Sequence, residues 1–146
     1  MGRLRPAEWI AGAGGTGLLV ALALDWYSGA SVWRSLAVLD VLLALLALVP
    51  LALVVLQATR ESPSLPATFS ALSVLAGALA TLLILYRIVD QPGANDAVEV
   101  EHGAWIGLAS AVITAAGGWL SLRDESHPAG AGPSIEELPA PPRAHA

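Results

Sequence analysis

Three glycines, Gly12, Gly14 and Gly17, spell G-x-G-x-x-G in the stretch "GAGGTG", and an acid, Asp40, follows about twenty residues on. In a dinucleotide-binding protein such glycines let a tight turn approach a pyrophosphate at a helix N-terminus, and the acid holds a ribose hydroxyl. That chemistry needs a strand before the glycines, a helix after them and a βαβ unit around both. Here the glycines sit near the start of an apolar stretch, "AEWIAGAGGTGLLVALALDWY", with no strand ahead of them. Asp40 falls inside the next apolar stretch, "SLAVLDVLLALLALVPL". A nucleotide is therefore not expected.

The other reactive side chains form no constellation. None of His102, His127 and His145 has a metal-ligand partner at i+3 or i+4. No serine has a plausible base beside it. The absence of cysteine excludes disulfides, thiol catalysis and cysteine-held metal centres. Asp90, Asp96, Glu99 and Glu101 crowd one loop, where a weak divalent-cation site competes with the commoner reading, a solvated acidic loop. The expectation is a protein that is not an enzyme and that carries no cofactor or metal.

What positions these residues is apolar helix. Of the 146 residues, 55% are hydrophobic and 13% charged, where soluble domains carry about 25% charged residues. The net charge of −5 argues against a nucleic-acid partner. Four segments are long enough to cross a bilayer, which takes about 20 mainly apolar helical residues. They run roughly 7–24, 35–57, 66–89 and 103–122, and turn formers or polar residues separate them: "DWYSGAS", "TRESPS" and "DQPGANDAVEVEH". Pro50 should kink the second span. From Asp124 on, a Pro-, Ala- and Gly-rich segment without apolar periodicity reads as a disordered tail. The fold class expected is an all-α membrane protein: an antiparallel four-transmembrane-helix bundle over residues 1–123, with a disordered cytoplasmic tail over 124–146.

Orientation follows from arginine, since the chain has no lysine. Arg3, Arg5, Arg60, Arg123 and Arg143 lie on one side, and Arg34 and Arg87 on the other. Both termini are expected in the cytoplasm, in a multi-pass protein of the bacterial inner membrane. Trp9 and Trp119 fall at the inner boundary, and Trp26, Tyr27, Trp33, Tyr86 and Trp105 at the outer one, where amphipathic rings favour the interface. A cleavable signal peptide ending near "SGA" is the competing reading of the N-terminus. The bulky "DWY" before that site fits it poorly.

In this setting the glycines read as packing strips, because small residues four apart let helix backbones approach closely. In span one Ala11 pairs in this way with Gly15, Gly12 with Thr16 and Ala13 with Gly17. Gly77 lies with Ser70, Ser73 and Ala80 in span three, and Gly103 and Gly107 lead to Ala111 and Ala115 in span four. Ala37, Ala44 and Ala47 share a face of span two with Asp40. Arg87 shares the inward face of span three, with Asp40 about 6 Å deeper by helical rise, a gap a long arginine can bridge. An unpaired acid in a span is costly, so an Asp40–Arg87 ion pair is expected, with Asp25 as a candidate third member. Such a pair either fixes helix register or lines a polar site for an ion, proton or small solute.

The stretches "LDWYSGASVW", "RIVDQPG" and "HGAWIGL" resemble a group of small four-span membrane proteins of high-GC bacteria. The likeness covers roughly residues 8–125 and implies four spans but no activity. Small multidrug-resistance exporters differ, since they carry a glutamate in mid-span one, where this chain has only Glu8 at the edge. The functional expectation is a structural or interaction component of the membrane. A small-solute or ion channel or transporter built on Asp40 and Arg87 is the alternative. The expected partners are the lipid bilayer and another membrane protein or a second copy of the chain.

Overall fold

The computed structural model describes residues 5–27, 30–31, 37–59, 67–91 and 99–126. Four long helices dominate it: α1 (Pro6–Ala23), α2 (Ala37–Thr59), α3 (Ala67–Val89) and α4 (His102–Ser126). Two short strands, β1 (Asp25–Tyr27) and β2 (Ala30–Ser31), pair antiparallel between α1 and α2. Three helices are long and apolar enough to cross a membrane, over Val38–Thr59, Phe69–Val89 and His102–Asp124. The glycine-rich α1, the shortest of the four at 18 residues, is not among them.

Each helix begins and ends for local reasons. Pro6 occupies the first position of α1, where its missing N–H costs nothing. Glu8 reaches back to accept the Arg5 backbone N–H at 2.9 Å. At the other end Leu24 turns extended and donates its N–H to the Ala21 carbonyl at 3.1 Å. The second helix runs unbroken through Pro50, whose ring is buried. The fourth continues past the expected span end to Ser126, so Asp124 is helical rather than the start of a tail. Residues 127–146 lie outside the described residues.

Small residues carry the contacts between helices. On α1, Ala11, Gly14 and Gly17 meet Gly117, Thr114 and Ser110 of α4, so residue numbers rise along one helix as they fall along the other. Gly77 of α3 abuts Ala111 and Ala115 of α4, and Gly118 of α4 abuts Ser73 and Val74. The Ser70 and Ser121 hydroxyls complete that seam at 3.1 Å. Gly15 of α1 faces Pro50 and Ala47 of α2; a Cβ there would lie 2.7 Å from the proline ring. The notch at Gly15 is what accommodates that ring.

A row of large aliphatic side chains points the other way. Leu45, Leu48 and Val55 of α2 and Leu72, Leu75 and Leu82 of α3 are exposed, Leu75 and Leu82 at 64%. A soluble bundle would bury this row. The interior holds Leu18, Leu22, Leu43, Leu53 and Ile84 together with many small residues, Ala47, Ala80, Ala104, Ala111, Ser70, Ser73 and Thr114. Small residues at the helix contacts, with a row of leucines left outside, suit packing in lipid, where apolar burial adds nothing to helix association.

Candidate functional site at the hairpin end

Described residues of the three quoted stretches, Trp26 and Tyr27, Arg87, and Gly103 and Gly107, meet at one end of the helices. Trp26 of β1 is fully buried and seats its ring against Gly103 and Gly107 of α4. A Cβ at Gly107 would lie 2.9 Å from the indole, so the glycines there are what make room for the ring. The indole Nε1–H donates to the Ala21 carbonyl at 2.7 Å, a second donor beside the Leu24 N–H on this acceptor at the end of α1. The Trp26 carbonyl in turn accepts the Glu101 backbone N–H at 2.9 Å. Tyr27 pairs with Val100 in an isolated antiparallel bridge.

Tyr27 also reaches α3. Its hydroxyl donates to the Arg87 carbonyl at 2.9 Å. Burial pushes the Tyr27 phenol above its ordinary value of 10.0, and the neighbouring Arg87 guanidinium pulls the other way. Next to Arg87, Tyr86 is exposed and donates its hydroxyl to Asp90 at 2.7 Å. A single aromatic hairpin thus ties together the ends of α1, α3 and α4.

Asp40 lies in the first turn of α2 and is completely buried. Neither of its carboxylate oxygens has a hydrogen-bond partner among the described residues. The Nε of Arg87 is likewise buried and without a partner, as is Oε1 of Gln91 just beyond α3. The expected bond between Asp40 and Arg87 is therefore not made. Asp25 is exposed on the hairpin and does not join them. The helical face assigned to Asp40 is the buried one, but Arg87 keeps its head beside the Tyr27 hydroxyl instead of crossing to α2.

The six glycines named as packing residues all face a neighbouring element. Gly12 meets Val54, Gly15 meets Pro50 and Ala47, and Gly17 meets Ser110. Gly77 meets Ala111 and Ala115, Gly103 meets Asp25 and Trp26, and Gly107 meets Trp26 and Ala21. The residues that sequence reasoning missed are Gly14, Gly117 and Gly118, each equally close to a neighbouring backbone. It also placed Trp26 and Tyr27 at a membrane interface, whereas both are buried. Trp9, Tyr86, Trp105 and Trp119, read the same way, are more than half exposed. Trp33 lies outside the described residues. A signal for the hairpin was present: "DWY" and "AS" flank the turn-forming pair Ser28 and Gly29.

Among the described residues no group of three or more His, Asp or Glu side chains could hold a metal ion. No family model matches the chain, and neither does any curated protein or solved structure. The likeness to small four-span proteins thus rests on the quoted stretches alone.

Proposed function

We propose that this chain is a small multi-pass membrane protein whose four helices all span the bilayer antiparallel to one another, and that it serves as a structural or interaction component. The observation that carries this reading is the close helix contact at glycine, alanine and serine, beside a row of leucine and valine left exposed on the outer sides of α2 and α3. The contact order supports α1 as a fourth span, because it packs along most of α4, from Ala11–Gly117 to Ala21–Gly107. The arginine distribution supports cytoplasmic termini in a bacterial inner membrane. The partner is a second membrane protein or another copy of the chain. Purification in mild detergent, with native mass and identification of co-purifying proteins, tests the role. A stoichiometric partner or a defined homo-oligomer supports it, and a bare monomer that binds nothing sinks it.

A second reading, a small-solute or ion pathway, is favoured by the buried and unbonded Asp40. Flux into vesicles that depends on Asp40 tests that reading. Transport unchanged in Asp40→Asn would remove it.

A further inference from the structure

The geometry points to Asp40 as a proton-binding site: a single carboxyl, sealed in the helix interface at the hairpin end, that exchanges a proton rather than holding a structural bond. This inference deepens the second reading above and rests on the chain being embedded in lipid.

A structural role for Asp40 would show as bonds, and there are none. Both oxygens are buried without a donor among the described residues. The position in the first turn of α2 offers the positive end of the helix dipole and free N–H groups. The oxygens nevertheless accept no hydrogen bond from that turn. An ionised carboxylate sealed away without donors is strongly disfavoured, whereas a neutral carboxyl in the same place is tolerated.

Among the described residues the surroundings do not supply a counter-charge. On α3 the nearby cation is Arg87, whose guanidinium stands at the Tyr27 hydroxyl. Past α1 the groups are Asp25, exposed, and Tyr27, which donates to the Arg87 carbonyl. At the start of α4 they are Glu101 and the exposed His102, and beyond α3 the exposed Asp90. Arg34, ahead of α2, lies outside the described residues.

A proton fits this site better than a metal cation does. Metal cations such as calcium or magnesium require about six oxygens at fixed distances. No cluster of three or more ligating side chains is present among the described residues. A proton needs one carboxyl oxygen. The route for exchange is short, because Asp40 lies within a turn of the described start of α2. Two more buried polar atoms without partners, Arg87 Nε and Gln91 Oε1, lie at the same end of α3 and would recruit water there.

The test uses the full chain in lipid nanodiscs and the apolar carboxyl reagent dicyclohexylcarbodiimide, which reacts with protonated carboxyls in apolar surroundings. Modified residues are mapped by peptide mass spectrometry between about pH 5 and about pH 9. Expected is modification at Asp40, falling about tenfold per pH unit above its midpoint. It should persist in Asp40→Glu and vanish at that position in Asp40→Asn, with helix content unchanged. If Asp40→Asn does not fold, the pH profile of the wild type and of Asp40→Glu still decides. No modification of Asp40 at any pH, or modification independent of pH, would overturn the proposal. Protection by sodium at fixed pH would overturn it in favour of a metal cation. Resistance of the protein to alkaline extraction from membranes, measured in parallel, separates failure of this site from failure of the membrane reading.

Discussion

Trp26 is the residue on which the hairpin end depends most. It fills the notch over Gly103 and Gly107, caps α1 through its indole N–H, and passes its carbonyl to Glu101. Trp26→Ala removes a large buried ring and leaves the Ala21 carbonyl with one donor fewer, which should cost about 3–5 kcal/mol. Trp105→Ala, at a ring 54% exposed, should change stability by no more than about 0.5 kcal/mol. Reversible unfolding in mixed micelles, followed by circular dichroism, measures both. Tyr27→Phe removes one hydrogen bond, worth about 1 kcal/mol, and its effect should depend on pH. Because burial raises the phenol above 10.0 in the folded protein, the unfolded chain releases this proton first. The stability that Tyr27 contributes is thus fully present below its ordinary value and is lost as pH climbs through the raised one. The gap between wild type and Tyr27→Phe should therefore narrow in strong alkali. A gap that widened there would contradict the burial of the phenol.

At the scale of elements, the seams between helices are set by the backbone rather than by side chains. Gly77 and Ala78 are neighbours on α3, but Gly77 is pressed against the α4 backbone and Ala78 is exposed. Gly77→Leu has to push two helices apart and should destabilise by about 1–3 kcal/mol. Ala78→Leu should be nearly neutral. The two variants have closely similar hydropathy, so a difference between them in thermal unfolding isolates packing from membrane insertion. These elements were largely legible beforehand, because apolar length and turn residues are local properties. The starts expected at 7, 66 and 103 lie within one residue of Pro6, Ala67 and His102. The faces bearing Gly77 and Gly107 follow from helical period alone. The hairpin was not legible in the same way. A tryptophan beside a span end has one composition whether it floats at an interface or plugs a bundle. Only the glycines of α4, distant in sequence, distinguish the two. Asp40 and Arg87 were assigned to inward faces by heptad spacing, but spacing says nothing about where a long arginine places its head, and Tyr27 was already there.

For the whole molecule, the proposed topology turns on how many of the helices cross a bilayer. Hydropathy marks three of them, and α1, which carries Pro6 and Glu8 in its first turn, is not among them. The proposal that it spans nonetheless draws on its packing along α4. If all four cross, both termini lie on one side, and the hairpin and the loop before α4 lie on the other. If only three cross, the N-terminus and the segment after α4 are on opposite faces. The absence of native cysteine makes the two cases separable. Single cysteines at Trp9, Glu99 and Asp124, all exposed positions, can be probed in intact cells with a maleimide that does not cross the inner membrane. The four-span topology requires Glu99→Cys to react in intact cells, and Trp9→Cys and Asp124→Cys only after lysis. Reaction of Trp9→Cys together with Glu99→Cys in intact cells would leave α1 lying outside the bilayer. It would also move the Trp26 plug from a seal within a bundle to a clasp on its surface.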